Sequence, residues 1–199
     1  MANAAFETAQ REALREERRR LARSRRFLQA ALTNPAPQWP DTVAFFQACV
    51  GYLEVATKRL IAQDVSLARQ LRAVLPASHV DDHAFLNELE DRLTERAGEL
   101  QQLVDATAVM AKGDQGGLEK FRADVDYFFN APSTKRSRPQ HSMPPLIEAY
   151  GSPDVWTNAQ ADADACGSEF QAYQVIEQRM LPGLPEIVAA VEAQAKAQP

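Results

Sequence analysis

Two cysteines, three histidines and eight glycines in 199 residues leave little room for several kinds of chemistry. Two thiols cannot build a disulfide framework. Cys49 and Cys166 both fall in helical patterns, which predicts buried free thiols. Neither has a neighbouring base in sequence, and an apolar helical setting disfavours the thiolate that a nucleophile needs. Ser142 follows His141, but adjacency along the chain does not make a triad. The glycines form no P-loop and no dinucleotide fingerprint, and there is no internal repeat. No stretch alternates apolar and polar residues as a half-buried strand would, which argues against a sheet. The uncharged apolar runs are too short to span a bilayer. The opening Met-Ala-Asn-Ala-Ala-Phe-Glu has no basic region followed by an apolar core, which predicts no secretory leader and a cytoplasmic location. A formal charge of −5 speaks against a nucleic-acid partner.

What is present is helical pattern. Apolar residues make up 45% and charged residues 25%, enough for one globular domain over residues 1–199 with a real core. The stretch from Ser78 to Met110 organises the rest. Leu86, Leu89, Leu93, Leu100, Leu103 and Met110 recur at steps of three, four and seven and mark one stripe of a helix. Ser78 with Asp81 predicts a capping box at its start, and Gly113 ends it. Upstream, Ala4 to about Leu32 predicts a helix with Phe6, Leu14, Leu21, Phe27, Leu28 and Leu32 on a thin apolar face. Its dense arginines have glutamates three to four residues before them, which predicts a solvated face laced with ion pairs.

Three prolines between Asn34 and Asp41 predict a loop. The next helix carries Val43, Phe46, Val50, Leu53, Ala56, Leu60 and Ile61, and Gly51 predicts close approach of another helix. Asp64 offers a fresh cap, so the pattern to Pro76 reads as one kinked helix or two in series. A shorter helix follows Asp114, with Leu118, Phe121, Val125, Phe128 and Phe129 on its buried side. Residues 131–153 form an irregular connection with a short helical turn from Leu146 to Tyr150. From Asp154 one helix is predicted to about Met180, using Val155, Ala159, Ala163, Cys166, Phe170, Tyr173, Ile176 and Met180. Residues 186–199 form a weak C-terminal helix or frayed tail. The fold class is all-α: an antiparallel four-helix bundle with additional terminal helices.

His79 and His83 lie one helical turn apart, so their rings can share a face and chelate a divalent metal. A third ligand would come from His141, Glu54 or Asp64. A ferritin-like di-iron site needs Glu three residues before His; here those positions hold Pro76, Val80 and Arg138. Against the metal reading stands a solvated polar helix start.

The stretch Lys58-Arg59-Leu60-Ile61-Ala62-Gln63-Asp64, with Leu71, Arg72 and Leu75-Pro76 after it, resembles the end of the second helix in bacterial hemerythrin-like proteins. Asp82-His83 is similar to the acid–His pair opening that family's third helix, and His141 matches its fourth-helix histidine. The resemblance spans about residues 10 to 150 and implies a four-helix fold with a non-heme di-iron centre. The chain departs from it where imidazoles should stand, near Glu16 to Arg18 and on Leu60 to Gln63. Only His83 and His141 carry over, which puts the oxygen-binding chemistry in doubt.

The reading these residues favour is a helical-bundle binding or regulatory protein without a catalytic site, with no cofactor, partnered by protein or by a second copy of itself. Beside it stand a hemerythrin-like metal protein with a reduced or lost di-iron site, and a small-molecule binder or enzyme with a pocket inside the bundle lined by Phe, Tyr and Trp.

Overall fold

The computed structural model describes residues 2–34, 39–113, 115–130, 143–152 and 154–197, the side chains of 2–11, 13, 14, 115 and 194–197 excepted, and among the described residues there are eight helices. In chain order they are α1 (Ala2–Thr33), α2 (Trp39–Val74), α3 (Val80–Met110), α4 (Gln115–Asn130), α5 (Met143–Tyr150), α6 (Val155–Asp164), α7 (Glu169–Gln178) and α8 (Leu184–Ala197). Among the described residues there is no strand, as the lack of any two-residue period predicts.

The hub is α2, which runs unbroken for 36 residues. Its ends suit the helix dipole, with Asp41 in the first turn and Arg72 in the last. Asp64 therefore lies inside a continuous helix and caps nothing. The apolar surface of α2 is wider than one stripe: Phe45, Phe46, Cys49, Tyr52, Leu53 and Ala56 are all inaccessible. That breadth follows from its neighbours, because α1, α3, α5, α6 and α7 all pack on it. The carboxyl end of α2, with Ala68 and Leu71, shares a cluster with Phe85, Leu86 and Leu89 at the amino end of α3. Phe46 to Leu53 share the main core with Leu100, Leu103 and Met110, so α2 and α3 run in opposite directions. The predicted α3 stripe is buried at Leu86, Leu89, Leu100, Leu103 and Met110, and only partly at Leu93.

Several local expectations need correction. The N-cap of α3 is His79, with no side-chain cap, so the box expected of Ser78 and Asp81 does not form. His79 sits at ψ 63, outside the extended region from which capping hydroxyls reach back, and its Nδ1 lies 3.1 Å from Asp82. Gly51 meets nothing that a Cβ would touch; the close approach is at Gly117, where a Cβ would stand 3.1 Å from the Met110 Cα. The single helix expected from Asp154 to Met180 is two. Gly167 takes φ +108, a conformation that side-chain-bearing residues avoid, and Ser168 then caps α7 by accepting the Gln171 N–H. Cys166 lies at that break and is not fully buried, while Cys49 is. Of the irregular connection, 143–150 is helical and 131–142, His141 included, lies outside the described residues. The tail from Leu184 is helical and packs Leu184 and Val188 into the main core beside α1.

Candidate functional site

A half-open cavity of about 670 Å³ is lined by residues of α1, α2, α3 and α4. Its apolar wall is Leu21 and Ala22 of α1, Leu53, Leu60 and Ile61 of α2, Leu93 of α3, and Phe128 and Phe129 of α4. Helical spacing explains the set. Residues 53, 57, 60, 61 and 64 fall on one face of α2, and 21, 22, 25, 26 and 29 on one face of α1. The volume lies in the range of about 300–1,000 Å³ usual for small-molecule sites.

The polar lining is mostly cationic: Arg25 and Arg26 from α1 and Arg96 from α3, with Gln29 and Thr57. Packing fixes these arginines. Arg96 lies 3.4 Å above the Phe128 ring centroid, donates to the Phe128 carbonyl at 2.5 Å, and pairs with Glu99 at 2.9 Å. Arg26 pairs with Glu192 of α8. Arg25 stacks 4.8 Å above Phe129 and donates to Asn130 Oδ1 at 2.8 Å, a neutral partner. Among the described residues its charge is thus available to an anion, held at the cavity edge by two groups that do not cancel it.

Asp64 is the one carboxylate in this lining. Among the described residues it makes no hydrogen bond and no ion pair. Burial pushes its pKa above the ordinary aspartate value, and the charges of Arg18 and Arg92 only partly oppose that.

A second cleft of about 470 Å³ lies where α1 and α2 meet the α6–α7 break, with Trp156 and the half-exposed Phe170 on its rim. Its charges are spent on each other. Arg20 Nε donates to both Glu169 oxygens at 2.8 and 2.9 Å, and its Nη2 to Oε2 at 2.6 Å. The Tyr52 hydroxyl donates to Glu169 Oε1 at 2.6 Å. Arg59 reaches Asp164 at 2.9 Å, the Gly167 and Ala163 carbonyls at 2.9 and 3.2 Å, and Glu17 at 3.5 Å. Burial raises the Glu17 pKa, with Arg59 working against it. These contacts tie α1, α2, α6 and α7 together. Of the α1 arginines, Arg20 is drawn into packing, while Arg15, Arg18, Arg19, Arg23 and Arg26 are exposed, as a solvated face predicts.

Of the three histidines, His79 and His83 lie among the described residues. His79 Nδ1 faces Asp82, and its ring stands edge-on to Tyr150, whose hydroxyl is 3.3 Å away. His83 is half-buried on the next turn. Glu54 is taken by Lys58 at 2.6 Å. Among the described residues, no three His, Cys, Asp or Glu side chains converge as a metal ion would require; His141 lies outside them. No helix among the described residues is long and apolar enough to cross a membrane. No family model, curated protein or solved structure matches the chain, so the site stands on its own geometry.

Sequence reasoning named Asp64 as a cap or spare metal ligand, and Leu60 and Ile61 as stripe residues within the stretch that resembles the hemerythrin-like second helix, none of them as part of a pocket. The signal available was an acid one turn beyond them on the same helical face.

Proposed function

We propose that this chain is a non-catalytic binding protein that holds an apolar organic acid in the cavity between α1, α2, α3 and α4. The observation that carries the reading is the cavity itself, with eight apolar side chains in its wall and three arginines in its polar lining. Burial of a hydrocarbon or aromatic body there is worth about 25 cal/mol per Å². The charge of Arg25 selects an anion over a cation. In this reading α1 to α4 form an antiparallel four-helix core, and the later helices pack outside it. Dodecanoate is expected to raise the thermal midpoint of the protein, and dodecylamine of equal chain length is not. An amine as stabilising as the acid would remove the reading.

A second reading concerns the resemblance to hemerythrin-like bundles. Leu60 and Ile61, in the stretch where that family's second-helix imidazoles would stand, line the cavity. We read the likeness as one of architecture, with apolar residues where iron ligands would be. Protein purified without chelator is then expected to carry clearly less than about one iron per chain. A di-iron complement that disappears in His83→Ala would restore the metal chemistry.

A further inference from the structure

Asp64 is out of place in an apolar wall that is meant for an anion. It lies on the same face of α2 as Leu60 and Ile61, in a lining shared with Leu93 and Phe128, and has no hydrogen-bond partner among the described residues. An ionised carboxylate there would repel an acidic ligand. A protonated one carries an O–H donor at the cavity wall, and an acid head group is a strong acceptor for it. Building on the proposed function, we infer that Asp64 carries a proton in the complex and through it donates a hydrogen bond to the ligand's anionic head, so that binding takes up one proton.

The surroundings agree in sign. The charges that act on Asp64 are Arg18 on α1 and Arg92 on α3; Arg25 and Arg26 of α1 and Arg96 of α3 line the same cavity, Arg26 paired with Glu192 and Arg96 with Glu99, and α4 contributes Phe128 and Phe129. Burial already favours the neutral acid, and Arg18 and Arg92 hold the shift back. An anion placed in the cavity offsets those arginines and raises the aspartate pKa further. Linkage then requires that affinity rise as pH falls.

The probe is 1-decanesulfonate, whose head group does not titrate in the working range, so any pH dependence belongs to the protein. Calorimetric titration of the full chain is expected to show binding about tenfold tighter at pH 5 than at pH 8. Asp64→Asn keeps a donor at every pH, and is expected to bind at both pH values as tightly as the wild type does at pH 5. Asp64→Ala loses the donor and is expected to bind weakly and without pH dependence. Equal wild-type affinity at the two pH values, or an Asn variant that follows the wild-type profile, overturns the role of Asp64 and leaves the cavity reading standing. No binding at either pH overturns both.

Discussion

Arg20 and Glu169, 149 residues apart, meet as a forked pair at 2.6 to 2.9 Å, with Glu169 only 5% exposed and Arg20 18%. Tyr52 donates to the same carboxylate, so one acid joins α1, α2 and α7. Removing one member of such a pair strands the other. Glu169→Ala is therefore expected to destabilise the protein by about 3 kcal/mol, which for a chain of this size lowers the thermal midpoint by roughly 6–12 °C. Chemical denaturation checks this. A loss within about 0.5 kcal/mol would show that the pair behaves as a surface bridge.

The two thiols should differ. Cys49 is inaccessible and burial pushes its pKa up, whereas Cys166 sits at the α6–α7 break with its Sγ 3.8 Å from the Lys58 carbonyl. A charged thiol reagent is expected to label Cys166 in the native protein and both cysteines in denaturant. Native labelling of Cys49 would mean that the main core opens readily.

Truncation along α3 should be graded. Leu86 and Leu103 are inaccessible, and replacing either by alanine is expected to cost about 2–5 kcal/mol. Leu93 lines the cavity and is only partly buried, so Leu93→Ala enlarges an existing space and costs less. Denaturant midpoints rank the three, and equal losses would mean that the cavity is closed around Leu93.

Asp64 should cost stability at neutral pH. Its folded pKa is raised by burial, so its favourable contribution is full below the unfolded value and is lost as pH rises through the folded one. Asp64→Asn is therefore expected to melt above wild type at pH 7, with the difference closing as the pH falls below about 4. A variant less stable at pH 7 would show that the carboxylate is held by partners beyond the described residues.

Much of the fold was legible because helical period is local. The stripe of α3, the Phe121–Val125–Phe128 side of α4 and the Phe27–Leu28 turn of α1 follow from spacing alone. The burial of Phe45 and Tyr52 was not legible, since α2 is covered on several sides and a helix in that position shows no single stripe. The break at Gly167 was hidden because apolar residues keep helical spacing across it; the Gly-Ser pair ahead of Glu169 was the only local sign. The candidate site was the least legible part. Its wall is contributed by four helices, and no one segment carries its signature.

The central claim is that the space between α1, α2, α3 and α4 is a ligand site. Calorimetric titration with dodecanoate at pH 6, on wild type, Leu60→Trp and Trp156→Ala, tests it most directly. Leu60→Trp places an indole in the cavity, and Trp156→Ala alters only the rim of the other cleft. The account predicts one dodecanoate per chain, an affinity at least about tenfold weaker in Leu60→Trp, and no change in Trp156→Ala. Undiminished binding in Leu60→Trp, or loss in Trp156→Ala instead, would contradict it.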